Sequence, residues 1–139
     1  MKFLMLMIPR VYQPSTPESE RAGEDFAPRL EDMEAMGKFN DELAKAGTIL
    51  DLDGLKPITK GARVTFAHGK ATLIDGPFIE SKEVIGGYWL VELKSKEEAV
   101  EWALRCPAAD GDVIEIRPIF EMSDFAPADK PTASEQAEK

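Results

Sequence analysis

The chain has 139 residues, 43% of them hydrophobic, which suits one domain with a buried core. Its 26 acidic residues outnumber its 17 basic ones, and the formal net charge of −9 repels nucleic-acid phosphates and anionic membrane surfaces, so we expect neither as a partner. The single cysteine excludes an internal disulfide, and the apolar run at residues 3–8 is too short for a signal peptide or a membrane helix. These features indicate a cytoplasmic protein.

The first third of the chain predicts one strand and one long helix. Lys2 to Ile8 carries apolar residues at odd and even positions, which is typical of a central strand covered on both sides. Arg10 to Pro28 is rich in proline and polar residues and predicts a loop, with Thr16 as the cap of a short helix. From Leu30 to Ala46, apolar residues recur at spacings of three and four, which predicts an amphipathic helix that ends at Gly47.

The middle of the chain predicts strands only. Thr48 to Leu52 indicates a second strand, and the runs Ala62 to Ala67 and Ala71 to Ile74 predict an inserted hairpin that turns at His68-Gly69-Lys70. Val84 to Leu93 predicts a long strand with apolar residues on both faces. In that strand Ile85 and Trp89 share one face, and Tyr88 lies on the other.

The last third predicts a second helix and a final strand. Ser95 begins a capping box of the S-x-x-E form, and the helix that follows ends at Pro107, with Cys106 as a small buried apolar residue. Val113 to Met122 predicts the last strand, and Pro118 favours an edge position because it lacks a ladder donor. The composition therefore predicts one domain over residues 1–124 and a disordered tail over 125–139.

Without the hairpin, the predicted order is strand, helix, strand, strand, helix, strand. This is the ferredoxin-like βαββαβ order, in which both helices cover one face of an antiparallel sheet. The first and the long strand carry apolar residues on both faces, so the second face needs a cover, and a second copy related by a two-fold axis supplies it. The sequence therefore predicts an α+β fold that forms a homodimeric α+β barrel with an interior cavity.

Four sequence blocks resemble one known family. They read MGKFNDELAKAG, IDGPFIESKEVIGGYWLVE, EEAVEWALRCP and IEIRPIFE, in this order along the chain. The chain is similar to the YCII-related superfamily, in particular to the branch named for the motif present here as Asp75-Gly76-Pro77-Phe78. The resemblance implies a dimeric α+β barrel similar to muconolactone isomerases, mostly without an assigned activity. Some relatives resemble proteins encoded beside extracytoplasmic-function sigma factors, which implies a sigma-factor-linked protein partner.

The chain departs from the family at the position of a proposed acid–base histidine near the start of the first helix. This region reads PRLEDMEAMGKF and contains no histidine. The one histidine, His68, lies in the predicted hairpin turn and is interpreted as a solvated loop residue. The catalytic residues are therefore unknown, and any chemistry would need carboxylates or Tyr88.

Four residues are candidates for ligand binding in the barrel: Asp75, Glu83, Tyr88 and Arg117. Three of them have a structural alternative. Asp75 could cap the Gly-Pro turn that follows it, and Glu83 could belong to a solvated charge cluster. Arg117 lies between apolar residues, so it either pairs with Glu115 or faces a wet cavity. Tyr88 is expected to face the cavity, with Trp89 in the core.

The sequence is compatible with two function classes. A third possibility is a stable dimer that binds no ligand of its own. The first is a binder of a small polar or anionic molecule, or an isomerase-like enzyme, with its site in the barrel. The second is an accessory protein that regulates through a protein partner. We expect no cofactor and no metal, because the chain has no glycine-rich phosphate loop and no metal-spaced set of histidine and cysteine.

Overall fold

A computed structural model describes residues 1–23, 25–75 and 83–125. Its two helices are α1 (Leu30–Ala46) and α2 (Lys96–Leu104). Its six strands are β1 (Lys2–Ile8), β2 (Thr48–Gly54), β3 (Ala62–Ala67), β4 (Lys70–Asp75), β5 (Gly87–Glu92) and β6 (Val113–Pro118). Short 3-10 turns occur at Arg10–Tyr12, Glu18–Glu20, Ile58–Lys60 and Met122–Asp124.

Four strands form one antiparallel sheet in the order β2-β5-β1-β6, and β3 and β4 form a separate two-stranded sheet. The order confirms the predicted ferredoxin-like α+β fold, with the β3–β4 hairpin as the insertion. Among the described residues β6 pairs only with β1 and is an edge strand, as Pro118 predicted. Because β1 pairs with β5 on one side and with β6 on the other, it lies in the centre of the sheet together with β5.

Both helices cover the same face of this sheet and enclose the core with it. Phe3, Met5 and Val91 of the sheet are fully buried, and so is Leu43 of α1. Trp89 is also in the core, as predicted, and its indole Nε1 donates a hydrogen bond of 2.7 Å to Oδ1 of Asn40. Phe39 meets the rings of Trp89 and Trp102 edge-on at 6.0 and 6.1 Å, a favourable arrangement of aromatic pairs.

Two local signals in the sequence have the predicted structural effect. The hydroxyl Oγ of Ser95 accepts a hydrogen bond of 3.2 Å from the backbone N–H of Glu98 and so caps α2. Gly47 follows α1 and donates its N–H to the carbonyl of Leu43. A Cβ at Gly47 would lie 2.4 Å from Cδ2 of Leu93, so glycine is required by close packing between the helix end and the sheet.

Several predicted details are wrong. The long strand begins at Gly87 instead of Val84, and Ile85 is exposed rather than in the core. Pro9 packs against Gly86 just before the strand, where a Cβ would lie 2.5 Å from the proline Cγ. Thr16 does not cap a helix: its hydroxyl donates to the carbonyl of Arg10. The last strand ends at Pro118, four residues earlier than expected.

The first turns of α1 also differ from the prediction. Leu30 and Met33 continue the apolar stripe of the helix, but their relative exposures are 70% and 56% because this part of α1 is not covered by the core. Two further predictions lie outside the described residues. These are the structure of the DGPF motif after Asp75 and the disorder of the tail beyond Phe125.

Candidate functional site

The face of the main sheet opposite the helices, here called the open face, is apolar along its centre. Alternation along β1 and β5 places Leu4, Leu6, Tyr88 and Leu90 on it, and all four side chains are partly exposed. In the strand register Leu4 lies beside Leu90, and Leu6 lies beside Tyr88. The centre of the open face is therefore a continuous patch of two strands' width.

Charged side chains border this patch on both outer strands. On β2, Asp53 pairs with Tyr88 and Asp51 with Leu90 in the register. On β6, Glu115 and Arg117 pair with the two leucines of β1 on the same face. One border is thus acidic, and the other carries one acid and one base.

Tyr88 is held by the acidic border. Its hydroxyl donates a hydrogen bond of 2.8 Å to Oδ2 of Asp51. This hydrogen bond, with desolvation and the charges of Asp51 and Asp53, raises the pKa of Tyr88 above its ordinary value. The phenol is therefore protonated at neutral pH and acts as a hydrogen-bond donor, not as a base.

Arg117 lies on the opposite border and has only a loose partner among the described residues. Its Nη1 is 4.0 Å from Oε2 of Glu115, and the exposed fractions of the two side chains are 69% and 45%. A pair at this distance and exposure contributes little to stability. The planar guanidinium keeps donors that suit a carboxylate or a phosphate.

The structure brings two of the four predicted site residues to one face and separates the others from them. Tyr88 and Arg117 share the open face but lie on strands separated by β1. Asp75 is the last residue of β4, where its backbone pairs with Ala62 in the separate sheet, and its side chain is outside the described part of the chain. Glu83 is exposed at the start of the segment that leads to β5.

A cleft at the end of the sheet, here called the sheet-end cleft, was not predicted from the sequence. Its volume is about 590 Å³, and it lies between the end of β1, the start of α1 and the loop before β6. Its apolar lining includes Met7, Pro9, Val11, Phe26, Pro28 and Met36, and its charged lining consists of Arg29, Asp32 and Asp112. A second cleft of about 400 Å³ adjoins it across residues 26–28 and extends to residues 54–57.

The polar groups of these clefts bind one another. Arg29 donates to both carboxylate oxygens of Asp32, at 3.1 and 3.3 Å, which lowers the pKa of Asp32. The carboxylate of Asp112 accepts hydrogen bonds from the backbone N–H groups of Arg10 and Ala109. The Tyr12 hydroxyl donates to the carbonyl of Leu55 at 2.6 Å, and burial raises the pKa of Tyr12. The start of α1 therefore carries an ion pair in the region where the family resemblance implies an acid–base histidine.

A buried glutamine that the sequence pattern did not indicate, Gln13, joins the loop after β1 to the segment before β5. The amide of Gln13 accepts a hydrogen bond of 2.8 Å from the N–H of Val84 and donates one of 2.9 Å to its carbonyl. It also donates to the carbonyl of Pro9 at 2.6 Å. Because Gln13 and Val84 are 71 positions apart, no local pattern could indicate this pair.

The cysteine and the histidine lie in different surroundings, one partly buried and one in an exposed turn. Partial burial, with a smaller contribution from Asp112, raises the pKa of Cys106 to about 11, so the thiol is protonated at neutral pH. His68 is exposed in the hairpin turn with a φ of 52°, as the loop interpretation predicted. Within the described ranges, no group of three or more histidine, cysteine, aspartate or glutamate side chains could hold a metal ion.

The chain belongs to the YCII-related domain family, whose model matches residues 1–123. The chain is also 29% identical over 92 residues to an uncharacterized protein of Rhizobium meliloti (strain 1021). This match covers 65% of the chain and 72% of the relative. In the part of the chain that the structure describes, no helix is long and apolar enough to cross a membrane.

Proposed function

We propose that the protein is a homodimeric, cytoplasmic binder of small anionic molecules, from the DGPF branch of the YCII-related family. The open face carries this proposal, because it combines a central apolar patch with charged borders on both outer strands. A sheet face that contacts only solvent is normally polar along its centre, and a sheet face buried in a core normally carries no charged side chains at its borders. The open face fits neither description.

A second copy is the partner that best fits the apolar centre. Leu4, Leu6 and Leu90 leave a patch that the chain's own helices cannot reach, because both helices lie on the other face. In a two-fold arrangement the same patch contacts itself, so apolar area is removed from water on both copies at once. The charged borders would then lie at the rims of the barrel, where water and small molecules have access.

Arg117 is the group proposed to bind the ligand. Its guanidinium is exposed, its contact to Glu115 is long, and the apolar patch beside it would lower the local dielectric once a second copy covers the sheet. The matching ligand is a small carboxylate or phosphate that binds the planar fork through two hydrogen bonds. Asp75 and Glu83 stay predictions as further ligand contacts.

Binding is better supported than catalysis. An isomerase-like reaction needs a group that accepts a proton and one that returns it. Tyr88 is protonated and already donates to Asp51, and the start of α1 holds the ion pair of Arg29 and Asp32 instead of a histidine. Isomerase-like chemistry would therefore depend on the carboxylates of the open face.

Thermal unfolding with and without ligand tests the binding proposal. Small carboxylates and inorganic phosphate should raise the melting temperature of the parent and of Arg21→Met, an exposed arginine outside the open face. These ligands should leave the melting temperature of Arg117→Met unchanged. Equal shifts in all three proteins, or none in the parent, would contradict the assignment of Arg117.

The second candidate function is an accessory regulatory protein that acts with a sigma-factor-linked or other protein partner. The self-paired polar groups of the two clefts favour it, because these described side chains offer no unused acid–base pair. This alternative predicts that a different protein covers the open face. The chain would then be monomeric alone, and substitution of Leu90 would impair binding of that protein.

A further inference from the structure

The sheet-end cleft and the second cleft beside it form one continuous groove, here called the loop groove. Their volumes are about 590 and about 400 Å³, and residues 26–28 line both of them together with Met7, Pro9 and Val11. Small-molecule sites in proteins usually have volumes of roughly 300–1,000 Å³ and a mainly apolar lining. The loop groove has both properties, and its described lining includes none of the four central residues of the open face.

The walls of the loop groove are held in place by hydrogen bonds between distant segments. The backbone N–H of Gly86 donates to the carbonyl of Met7 at 2.8 Å, and the Tyr12 hydroxyl donates to the carbonyl of Leu55 at 2.6 Å. In the sheet-end cleft, the carboxylate of Asp112 accepts a backbone N–H from the loop after β1 at 2.8 Å. Because the walls are fixed in advance, a ligand pays little conformational entropy when it fills the groove.

The charged side chains of the loop groove favour a neutral ligand. Four described residues of the lining are charged, two basic and two acidic, namely Arg29, Lys56, Asp32 and Asp112. Their formal charges cancel. Arg29 and Asp32 form an ion pair of 3.1 Å, and Asp112 accepts two backbone N–H groups. An ionic ligand would have to compete with these internal partners, whereas a neutral ligand leaves them intact.

The apolar side chains of the loop groove favour an aromatic ring. Phe26 lines both clefts, meets the ring of Tyr12 edge-on at 5.7 Å and keeps a relative exposure of 39%. Met7 of β1 and Met36 of α1 line the sheet-end cleft, and both are partly exposed. Thioethers and phenyl rings make favourable contacts with an aromatic ring in addition to the burial of apolar area. These side chains therefore suit a ring better than an alkyl chain.

We propose that the loop groove is a binding site for a small, neutral aromatic molecule, whose ring lies against Phe26, Met7 and Met36. This site is separate from the anion site proposed at Arg117. Because all of its lining belongs to one chain, it does not depend on the homodimer.

NMR of the full chain with isotope-labelled methionine methyl groups tests the position of the site. The probes are methyl benzoate, indole and quinoline, and at least one should shift the Met7 and Met36 signals with a dissociation constant of about 0.1–1 mM. Met33 and Met122 are outside the groove and exposed by 56% and 85%, so their signals should not move. No shift at Met7 and Met36 with any probe, or equal shifts at all four methionines, would overturn the proposal.

A matched pair of phenylalanine substitutions tests the aromatic contact. Phe26→Leu keeps an apolar side chain in the loop groove but removes the ring, and Phe66→Leu makes the same change at an exposed site in the hairpin. The first substitution should raise the dissociation constants of the probes that bind by about fivefold or more, and the second should leave them unchanged. An unchanged signal of the buried Met5 shows that both variants are folded. Equal dissociation constants in the two variants would overturn the aromatic assignment.

Two ligands that differ in charge separate this site from the one proposed at Arg117. Methyl benzoate and benzoate share a ring, but only benzoate is an anion at neutral pH. The loop groove should bind methyl benzoate about fivefold or more tightly than benzoate, in the parent and in Arg117→Met alike.

Each alternative result of this comparison has a separate meaning. If benzoate shifts the Met7 and Met36 signals as strongly as methyl benzoate, the neutral-ligand assignment is overturned. If Arg117→Met loses methyl benzoate binding, the separation of the two sites is overturned. If methyl benzoate binds in the groove and benzoate binds nowhere, the loop groove stands and the assignment of Arg117 fails.

Discussion

The two faces of the main sheet are made by the same four strands and differ in what covers them. β1 supplies Phe3 and Met5, both fully buried, to one face, and Leu4 and Leu6, both partly exposed, to the other. The outer strands β2 and β6 add leucine and isoleucine to the covered face and carboxylates and an arginine to the open face. The comparison shows that apolar residues along a sheet face do not by themselves make a core, because the open face stays partly exposed and carries charged borders.

The largest difference in unfolding free energy is expected between truncation of a leucine on the covered face and truncation of a leucine on the open face. Leu43→Ala removes a fully buried side chain from the covered face and should lower the free energy of unfolding by about 3 kcal/mol. Leu90→Ala should lower it by less than about 1 kcal/mol in the monomer, because its side chain is partly exposed. Urea unfolding at a protein concentration that favours monomers measures both. Equal losses would show that the open face is also a core within one chain.

Two glycine-to-alanine substitutions in and after α1 test how tightly the helix packs on the covered face. Gly47→Ala places a Cβ 2.4 Å from Leu93 and 2.9 Å from the carbonyl oxygen of Glu92, and should destabilise the fold by about 1–3 kcal/mol. Gly37→Ala, in the middle of α1, places a Cβ with no described atom within 4 Å other than the adjoining residues of its own helix, and should stabilise the fold by about 0.5–1 kcal/mol. Thermal unfolding of both variants shows whether each substitution raises or lowers the stability. A loss of stability in Gly37→Ala would contradict the account of the helix.

Alternation and turn chemistry made much of the fold predictable. The hairpin bounds follow from His68-Gly69, both with positive φ, and the opposite orientations of Tyr88 and Trp89 follow from strand geometry. The start of β5 was not predictable, because Gly86 and Gly87 have no side chains whose alternation would mark where strand pairing begins. Pro9, 77 positions earlier than Gly86, packs against it just before that point.

The candidate site was less predictable than the fold for a related reason. Tyr88 and Arg117 could be assigned to one face because each lies in a regular strand. The sheet-end cleft is built from two loops, the end of β1 and the start of α1, and neither local periodicity nor composition specifies how loops meet. The partner of Tyr88, Asp51, lies beyond a register shift in β2, so alternation counted from Thr48 does not identify it.

A more moderate loss of stability is expected where Gln13 joins the loop after β1 to the segment before β5. Gln13→Glu keeps an acceptor for the N–H of Val84 but removes the donor to its carbonyl, and it places a carboxylate in a buried position. Unfolding free energy should fall by about 1–3 kcal/mol at neutral pH, and the loss should shrink as the pH is lowered and the carboxyl group is protonated. A loss independent of pH would contradict the role of the amide in this contact.

The smallest effect concerns Cys106, which packs partly against the covered face. Its pKa is raised from 9.0 to about 11, so its contribution to stability is fully present below pH 9 and is lost as the pH rises through about 11. The side chain is only partly buried, so the change is small. Cys106→Ala should remove this component from the alkaline part of the stability curve. A thiol that reacts rapidly with a disulfide reagent at pH 8 would contradict the raised pKa.

Sedimentation velocity of the parent and of two glutamate variants tests the central claim, that the open face is the interface of a homodimer. The parent should sediment as a species of twice 15.4 kDa. Leu90→Glu, in the centre of the open face, should be monomeric. Leu104→Glu, on α2 with a relative exposure of 80%, should remain dimeric. A parent that is monomeric at every concentration, or a Leu90→Glu variant that still dimerises, would contradict the account.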